Sequence, residues 1–238
     1  MPEPLIDVRG VTKNYGGLRP LRLAALTVVP GDRLALLGLD AAAAEVLVNL
    51  LTGATLPDEG EVRVFGRATS SITDADDWVA TLDRIGMVSP RAMLAEELTV
   101  AQGIAMAFTL SLDPIPATIA ADVERLAGET RLAAGDLGTR LADAPPLVKA
   151  RCRLARALST APAVLLLEHA NALVPDGAAG FGREIAGLAK ARGMAVVAIT
   201  ADDSFAGAVA DTVFALDAAT GALKARGGWP GWFRKLRG

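Results

Sequence analysis

The sequence predicts an α/β fold in which a mixed sheet carries an inserted run of helices, and three observations predict it. Short aliphatic runs bounded by turn residues recur along the 238 residues, as strands do. The early runs alternate polar and apolar residues. The later ones, AVLLL and AVVAI, are continuously apolar, as in parallel strands covered on both faces. Residues from about 90 to 160 carry no strong strand pattern and read as nearly all helical.

Taken in order, strands are expected at Leu5–Val8, Leu23–Val29 and Leu34–Leu37. The first few, with Glu61–Phe65, suit a half-exposed, mostly antiparallel sheet. The Ala/Leu-rich stretch Ala41–Leu51 predicts a helix that closes on Gly53, a good C-terminal signal. A helix at Asp76–Arg84 and a strand at Ile85–Val88 follow. Helices are then expected at Val100–Leu110, Thr118–Leu126 and Leu147–Leu158, broken by the proline-bearing stretches Ser111–Pro116 and Ala144–Pro146. The strand Val164–Leu167, the helix Ala178–Lys190 and the strands Ala195–Ile199 and Val213–Leu216 complete the order. This divides the chain into an α/β lobe (about 1–89 and 160–225), a helical lobe (about 90–159) and a tail (226–238).

Composition narrows the function classes. Apolar residues make up 52% and charged residues 21%, which supplies a core. Aromatics are only 4%, so that core must be aliphatic. Twenty-four bases against 27 acids give a net charge of −3, without the basic excess of a general nucleic-acid binder. One cysteine, Cys152, excludes an internal disulfide framework and a cysteine-built zinc site. One histidine, His169, excludes a multi-histidine metal site. The opening MPEPLIDVRG has acid where a signal peptide needs base, and the longest apolar runs fall short of the ~20 residues that cross a bilayer. A cytoplasmic location is the expectation.

The strand Leu34–Leu37 feeds a helix near Ala41 through Gly38-Leu39-Asp40. Unpaired N–H groups and the positive end of the helix dipole converge at such a turn, the geometry that binds phosphate. Most such turns bind nothing, so the surroundings matter. LIDVRGVTKNYGG, PGDRLALLGLD, NLLTGATLPDEGEVRVFGR, RLARALSTAPAVLLLEHANAL, GMAVVAITADD and ADTVFAL follow one another in order. Together they resemble the nucleotide-binding cassette of ABC transporters over nearly the whole chain. The resemblance implies a P-loop NTPase-like core lobe with a mixed sheet and an inserted helical lobe.

It also places the family's functional positions, and the residues there depart from the pattern. Tyr15 stands in the adenine-stacking place, and it reads equally as a buried strand-end tyrosine. The phosphate loop G-x-x-G-x-G-K-[ST]-[ST] falls on Gly38, Leu39, Asp40, Ala41, Ala42, Ala43, Ala44, Glu45 and Val46. Ala44 replaces the phosphate-binding lysine, and Glu45 replaces the magnesium-binding hydroxyl. A carboxylate about 4 Å from a phosphate oxygen costs roughly 4 kcal/mol at an effective dielectric near 20. Hydrogen bonds to charged groups return only about 1.5–3 kcal/mol each. Asp40 is expected to cap the helix, and Glu45 to sit in its first turn, where the dipole favours it. The alternative is that Glu45 helps hold a metal ion.

The remaining motifs depart as well. The Q-loop glutamine falls on Pro90, and the signature on Ala144-Pro145-Pro146-Leu147-Val148, whose prolines lack N–H donors but start a helix well. The Walker B pair is Glu168-His169. Glu168 retains a carboxylate, and His169 occupies the general-base position or is structural. The D-loop aspartate falls on Pro175 and the switch histidine on Ala201.

No catalytic or metal-ligating residue is therefore assigned. No cofactor is required, and at most weak ATP binding is expected, through Tyr15, Gly38–Val46 and Glu168–His169. The resemblance implies a regulatory or structural subunit beside a transmembrane permease or a second cassette, peripheral to the inner face of the membrane. An ATPase acting through unfamiliar contacts and a soluble interaction module remain alternatives. The tail, GGWPGWFRKLRG, sets Trp229, Trp232 and Phe233 beside Arg234, Lys235 and Arg237. It suits a membrane surface, an acidic partner, or packing on the domain.

Overall fold

The computed structural model describes residues 3–226. Apart from Arg226, the aromatic and basic tail lies outside these residues. The chain opens with strands β1 (Ile6–Lys13), β2 (Leu21–Val28) and β3 (Arg33–Leu37), then helix α1 (Ala41–Leu51). Next come β4 (Glu59–Val64), β5 (Arg67–Ala68), α2 (Ala75–Leu82) and β6 (Ile85–Val88). Helices α3 (Val100–Ala105), α4 (Ala117–Glu129) and α5 (Pro146–Ala157) follow before β7 (Val164–Glu168). The described residues end with α6 (Ala178–Arg192), β8 (Ala195–Ile199), α7 (Asp203–Val209), β9 (Thr212–Leu216) and β10 (Leu223–Ala225).

Two sheets result. One is antiparallel, in the order β2-β1-β4-β5, with Ile6 opposite both Val28 and Val64. The other has the order β10-β9-β3-β8-β7-β6 and is parallel except for β10. The continuous apolar runs β7 and β8 occupy its interior, buried along their whole length. Side-chain alternation along the parallel strands feeds two cores. Leu34, Leu36, Val164, Leu166 and Val197 face α1 and the antiparallel sheet. Ala35, Leu37, Leu165, Leu167 and Val196 face the helices α3 to α7.

Several expected boundaries shift for local reasons. β1 runs on past Val8 to Lys13 because a bulge at Gly10 (φ 57) lets pairing with β4 resume at Thr12. The helix expected at Val100–Leu110 stops at Ala105, where i→i−3 bonds from Ala107 and Phe108 tighten the last turn. β5, α7 and β10, of two, seven and three residues, are too short to stand out in the sequence. α7 forms because the Asp202 side chain accepts the Phe205 N–H at 2.9 Å and Phe205 is buried beneath it.

Candidate functional site

The turn after β3 is set by Gly38. Its φ of +94° is one that L side chains avoid, and an added Cβ would lie 3.0 Å from the Leu216 carbonyl oxygen. Close packing against β9 thus accounts for this glycine. Asp40 then caps α1: its Oδ1 accepts the Ala43 N–H at 2.8 Å, and its carbonyl accepts the Ala44 N–H at 2.9 Å. Two donors at the helix N-terminus are taken by one aspartate of the chain itself. Ala41 and Ala42 are exposed, Ala43 is buried, and Ala44 is wholly buried in the core.

Glu45 does not sit in the first helical turn as expected. α1 begins at Ala41, so Glu45 falls in the second turn and its carboxylate points to another partner. That partner is Arg91, in the loop after β6, whose Nη1 lies 2.8 Å from the Glu45 carboxylate. The same guanidinium grips Glu168 at the end of β7, with Nε donating to Oε1 at 2.9 Å and Nη2 to Oε2 at 2.8 Å. The Glu168 side chain is only 3% exposed, against 45% for Arg91 and 46% for Glu45. A fork-to-fork pair satisfies the buried carboxylate, whereas the Glu45 arm remains in reach of water. Bonding to Glu168, with attraction from both carboxylates, holds the Arg91 guanidinium above its ordinary pKa despite partial burial.

The loop that carries Arg91 is itself anchored. The buried Ser89 hydroxyl accepts the Arg91 N–H at 3.1 Å. From α5, Arg153 donates to the Ala92 carbonyl at 3.0 Å and Arg156 to the Met93 carbonyl at 3.4 Å. Burial lowers the pKa of the Arg153 guanidinium.

His169 follows Glu168 with left-handed backbone (φ 45, ψ 37), a conformation that costs a non-glycine residue. Its backbone N–H donates to the Ile199 carbonyl at 2.8 Å. Its Nε2 is buried and has no hydrogen-bond partner among the described residues. Nothing here presents it as an oriented base.

These residues share a cleft of about 640 Å³. It is lined by Leu39, Asp40, Ala41, Ala42 and Glu45 on the α1 side and by Pro90, Arg91, Glu168, His169 and Ala201 opposite. Tyr15 lies outside it. Tyr15 borders a neighbouring cavity of about 430 Å³ together with Gly38, Leu39, Asp40, Ala42 and Ala43. The Tyr15 ring rests against Gly17, where an added Cβ would come within 2.8 Å of ring carbons. Ala44 and Val46 pack towards the core and line neither cavity. The proline pair of the expected signature starts α5, with Pro145 at the cap and Pro146 in the first turn. Among the described residues there is no cluster of three or more His, Cys, Asp or Glu that could hold a metal ion. No described helix is long and apolar enough to cross a membrane.

Sequence reasoning missed Arg91. The available signal was electrostatic: two carboxylates placed in one pocket require a cation, and Arg91 directly follows Pro90.

The sequence matches the ABC transporter family over residues 21–172. It is 31% identical to the ribose import ATP-binding protein RbsA 2 of Rhizobium etli, over 84% of this chain and 39% of that protein. It is 32% identical to the methionine import ATP-binding protein MetN of Caulobacter vibrioides, over 90% of this chain and 64% of that protein. The chain thus spans less than two thirds of either relative. The fold is similar to that of cbiO1 from Clostridium perfringens, part of the ABC transporter complex cbiONQ. That comparison gives a TM-score of 0.74 at 20% identity, over 90% of this chain and 84% of that one.

Proposed function

This chain belongs to the ABC transporter family, and we propose that within it the chain is a pseudo-ATPase, a structural or regulatory subunit that does not turn over nucleotide. The single observation that carries this reading is the Arg91 guanidinium held between Glu45 and Glu168. By the motif resemblance, Glu45 stands at the magnesium-binding hydroxyl position and Glu168 at the Walker B carboxylate.

The residues present do not fit a magnesium triphosphate. Ala44 offers no cation and is buried in the core. The Asp40 carboxylate already takes a donor at the N-terminus of α1. A triphosphate would have to displace that cap and approach two further carboxylates. Each like-charge contact costs several kcal/mol at an effective dielectric near 20. The backbone donors that remain return about 1.5–3 kcal/mol each. Pro90 provides no amide side chain, and the αL-strained His169 has no partner to orient it as a base. Tyr15 alone supports at most weak ATP binding.

The α/β body and the helices between β6 and β7 retain the shape of a cassette, which supports docking against a transmembrane permease or a second cassette. The relatives named as import ATP-binding proteins favour an import assembly, at the inner face of a membrane and reached from the cytoplasm. Hydrolysis in such an assembly would come from another subunit.

The test is to purify the assembly through this chain from its native host. A multi-span permease in stoichiometric amount supports the reading, and recovery with soluble proteins alone contradicts it. His169→Ala in this chain should leave the ATPase rate of the assembly unchanged. A tenfold or larger loss, as a catalytic acid–base group would give, overturns the proposal.

A further inference from the structure

We infer that Arg91 is an internal latch that fixes the helices α3–α5 against the parallel sheet without any ligand. The loop Ser89–Leu94 is where the chain leaves β6, the edge strand of that sheet, and enters the helical run. Four polar attachments and one apolar one converge on it. Arg91 ties it to α1 through Glu45 and to β7 through Glu168. Arg153 and Arg156 of α5 hold its carbonyls at Ala92 and Met93. Leu94 is buried in the same core as Val100, Ile104, Val123 and Leu154 of α3, α4 and α5. A shift of α5 relative to the sheet must therefore move this loop.

The latch is held shut by the depth of Glu168. With its side chain 3% exposed, that carboxylate cannot give up the guanidinium without being left unpaired in a mostly apolar pocket. The Glu45 arm is half-exposed and screened, so it steers the arginine more than it holds it. In most two-state devices a ligand supplies the differential interaction that selects one arrangement. Here the chain supplies its own cation and both anions, so the arrangement is set at folding. The latch depends on these ion pairs and on the contacts of the loop with α5, and not on whether the chain binds nucleotide.

The test uses pulsed electron–electron distance measurements on the full chain. Spin labels replace the exposed Glu124 on α4 and Thr27 on β2, in a Cys152→Ala background. The natural sequence at position 91 should give one narrow distance distribution that added Mg-ATP leaves in place. Arg91→Ala should broaden it about twofold or split it, and Arg91→Lys should fall between. A distribution in Arg91→Ala as narrow as that of the parent, at the same distance, overturns the latch. Should Arg91→Ala fail to fold, Arg91→Lys and Glu45→Gln carry the test: broadening in Arg91→Lys supports the latch, and parental width in both overturns it. A shift on adding Mg-ATP to the parent would count against the proposed function, while the arginine variants would still decide the latch.

Discussion

Arg91 and Glu168, 77 residues apart, meet through two parallel hydrogen bonds of 2.9 and 2.8 Å at the mouth of the central cleft. The carboxylate is buried and the guanidinium is half-exposed. Removing one partner of a fully buried pair costs about 3–5 kcal/mol, and water reaching the arginine side lowers that. Arg91→Ala should therefore lower unfolding free energy by about 2–3 kcal/mol in urea denaturation. Glu45→Gln, at the solvent-facing arm, should cost less than about 1 kcal/mol. Equal losses for the two variants would contradict the assigned depth of the arms.

Asp40 serves α1 as its cap. Asp40→Ala should cost about 1 kcal/mol, and Asp40→Asn a small part of that. Thermal or urea unfolding of the two variants checks the difference. Equal destabilisation would mean that the charge, and not the hydrogen bond to Ala43, is what α1 needs.

The sequence made the central strands legible because burial on both faces leaves no ambiguity of pattern: Val164–Leu167, which β7 extends by one residue, and Ala195–Ile199 fall where their apolar runs fall. The start of α1 was legible through Asp40 and the alanine run. Arg91 was not legible as a partner of Glu45 and Glu168, because an ion pair between distant segments leaves no local periodicity. β10 was hidden for a related reason, since its pairing with β9 is a property of the partner strand and not of Leu223–Ala225 itself. Glu45 was misplaced although the helix start was legible: as the fifth residue of a helix that begins at Ala41, it lies just beyond the first turn.

Gly38 is expected to resist substitution even though no ligand is invoked. Gly38→Ala imposes a side chain at φ +94° and drives Cβ to 3.0 Å from the Leu216 carbonyl oxygen. A loss of about 1–3 kcal/mol follows from such backbone strain. Stability within about 0.5 kcal/mol of the parent would show that the turn relaxes freely.

Burial in the core pushes the Cys152 thiol up to about 11. A folded pKa above the unfolded one gives stability that is fully present below pH 8–9 and lost as pH rises towards 11. The pH profile of Cys152→Ala should therefore lack this part of the alkaline decline, worth up to about 3 kcal/mol. In the parent, iodoacetamide at pH 8 should modify Cys152 slowly until denaturant is added. Rapid labelling of the folded chain would contradict the burial.

Ala44→Lys tests whether the phosphate grip can be put back by one residue. Ala44 is wholly buried and packs in the core between the two sheets. The lysine should lower stability by more than about 2 kcal/mol, through overpacking and an unpaired charge. It should not restore nucleotide binding while Asp40, Glu45 and Arg91 keep their places. A lysine variant of parental stability that binds ATP tightly would contradict this.

Equilibrium titration of Mg-ATP into the purified natural chain, followed by calorimetry, tests the central claim most directly. The ion triad and the Asp40 cap predict no saturable heat up to millimolar nucleotide. A dissociation constant in the micromolar range would show that the site opens to a triphosphate and would contradict the account.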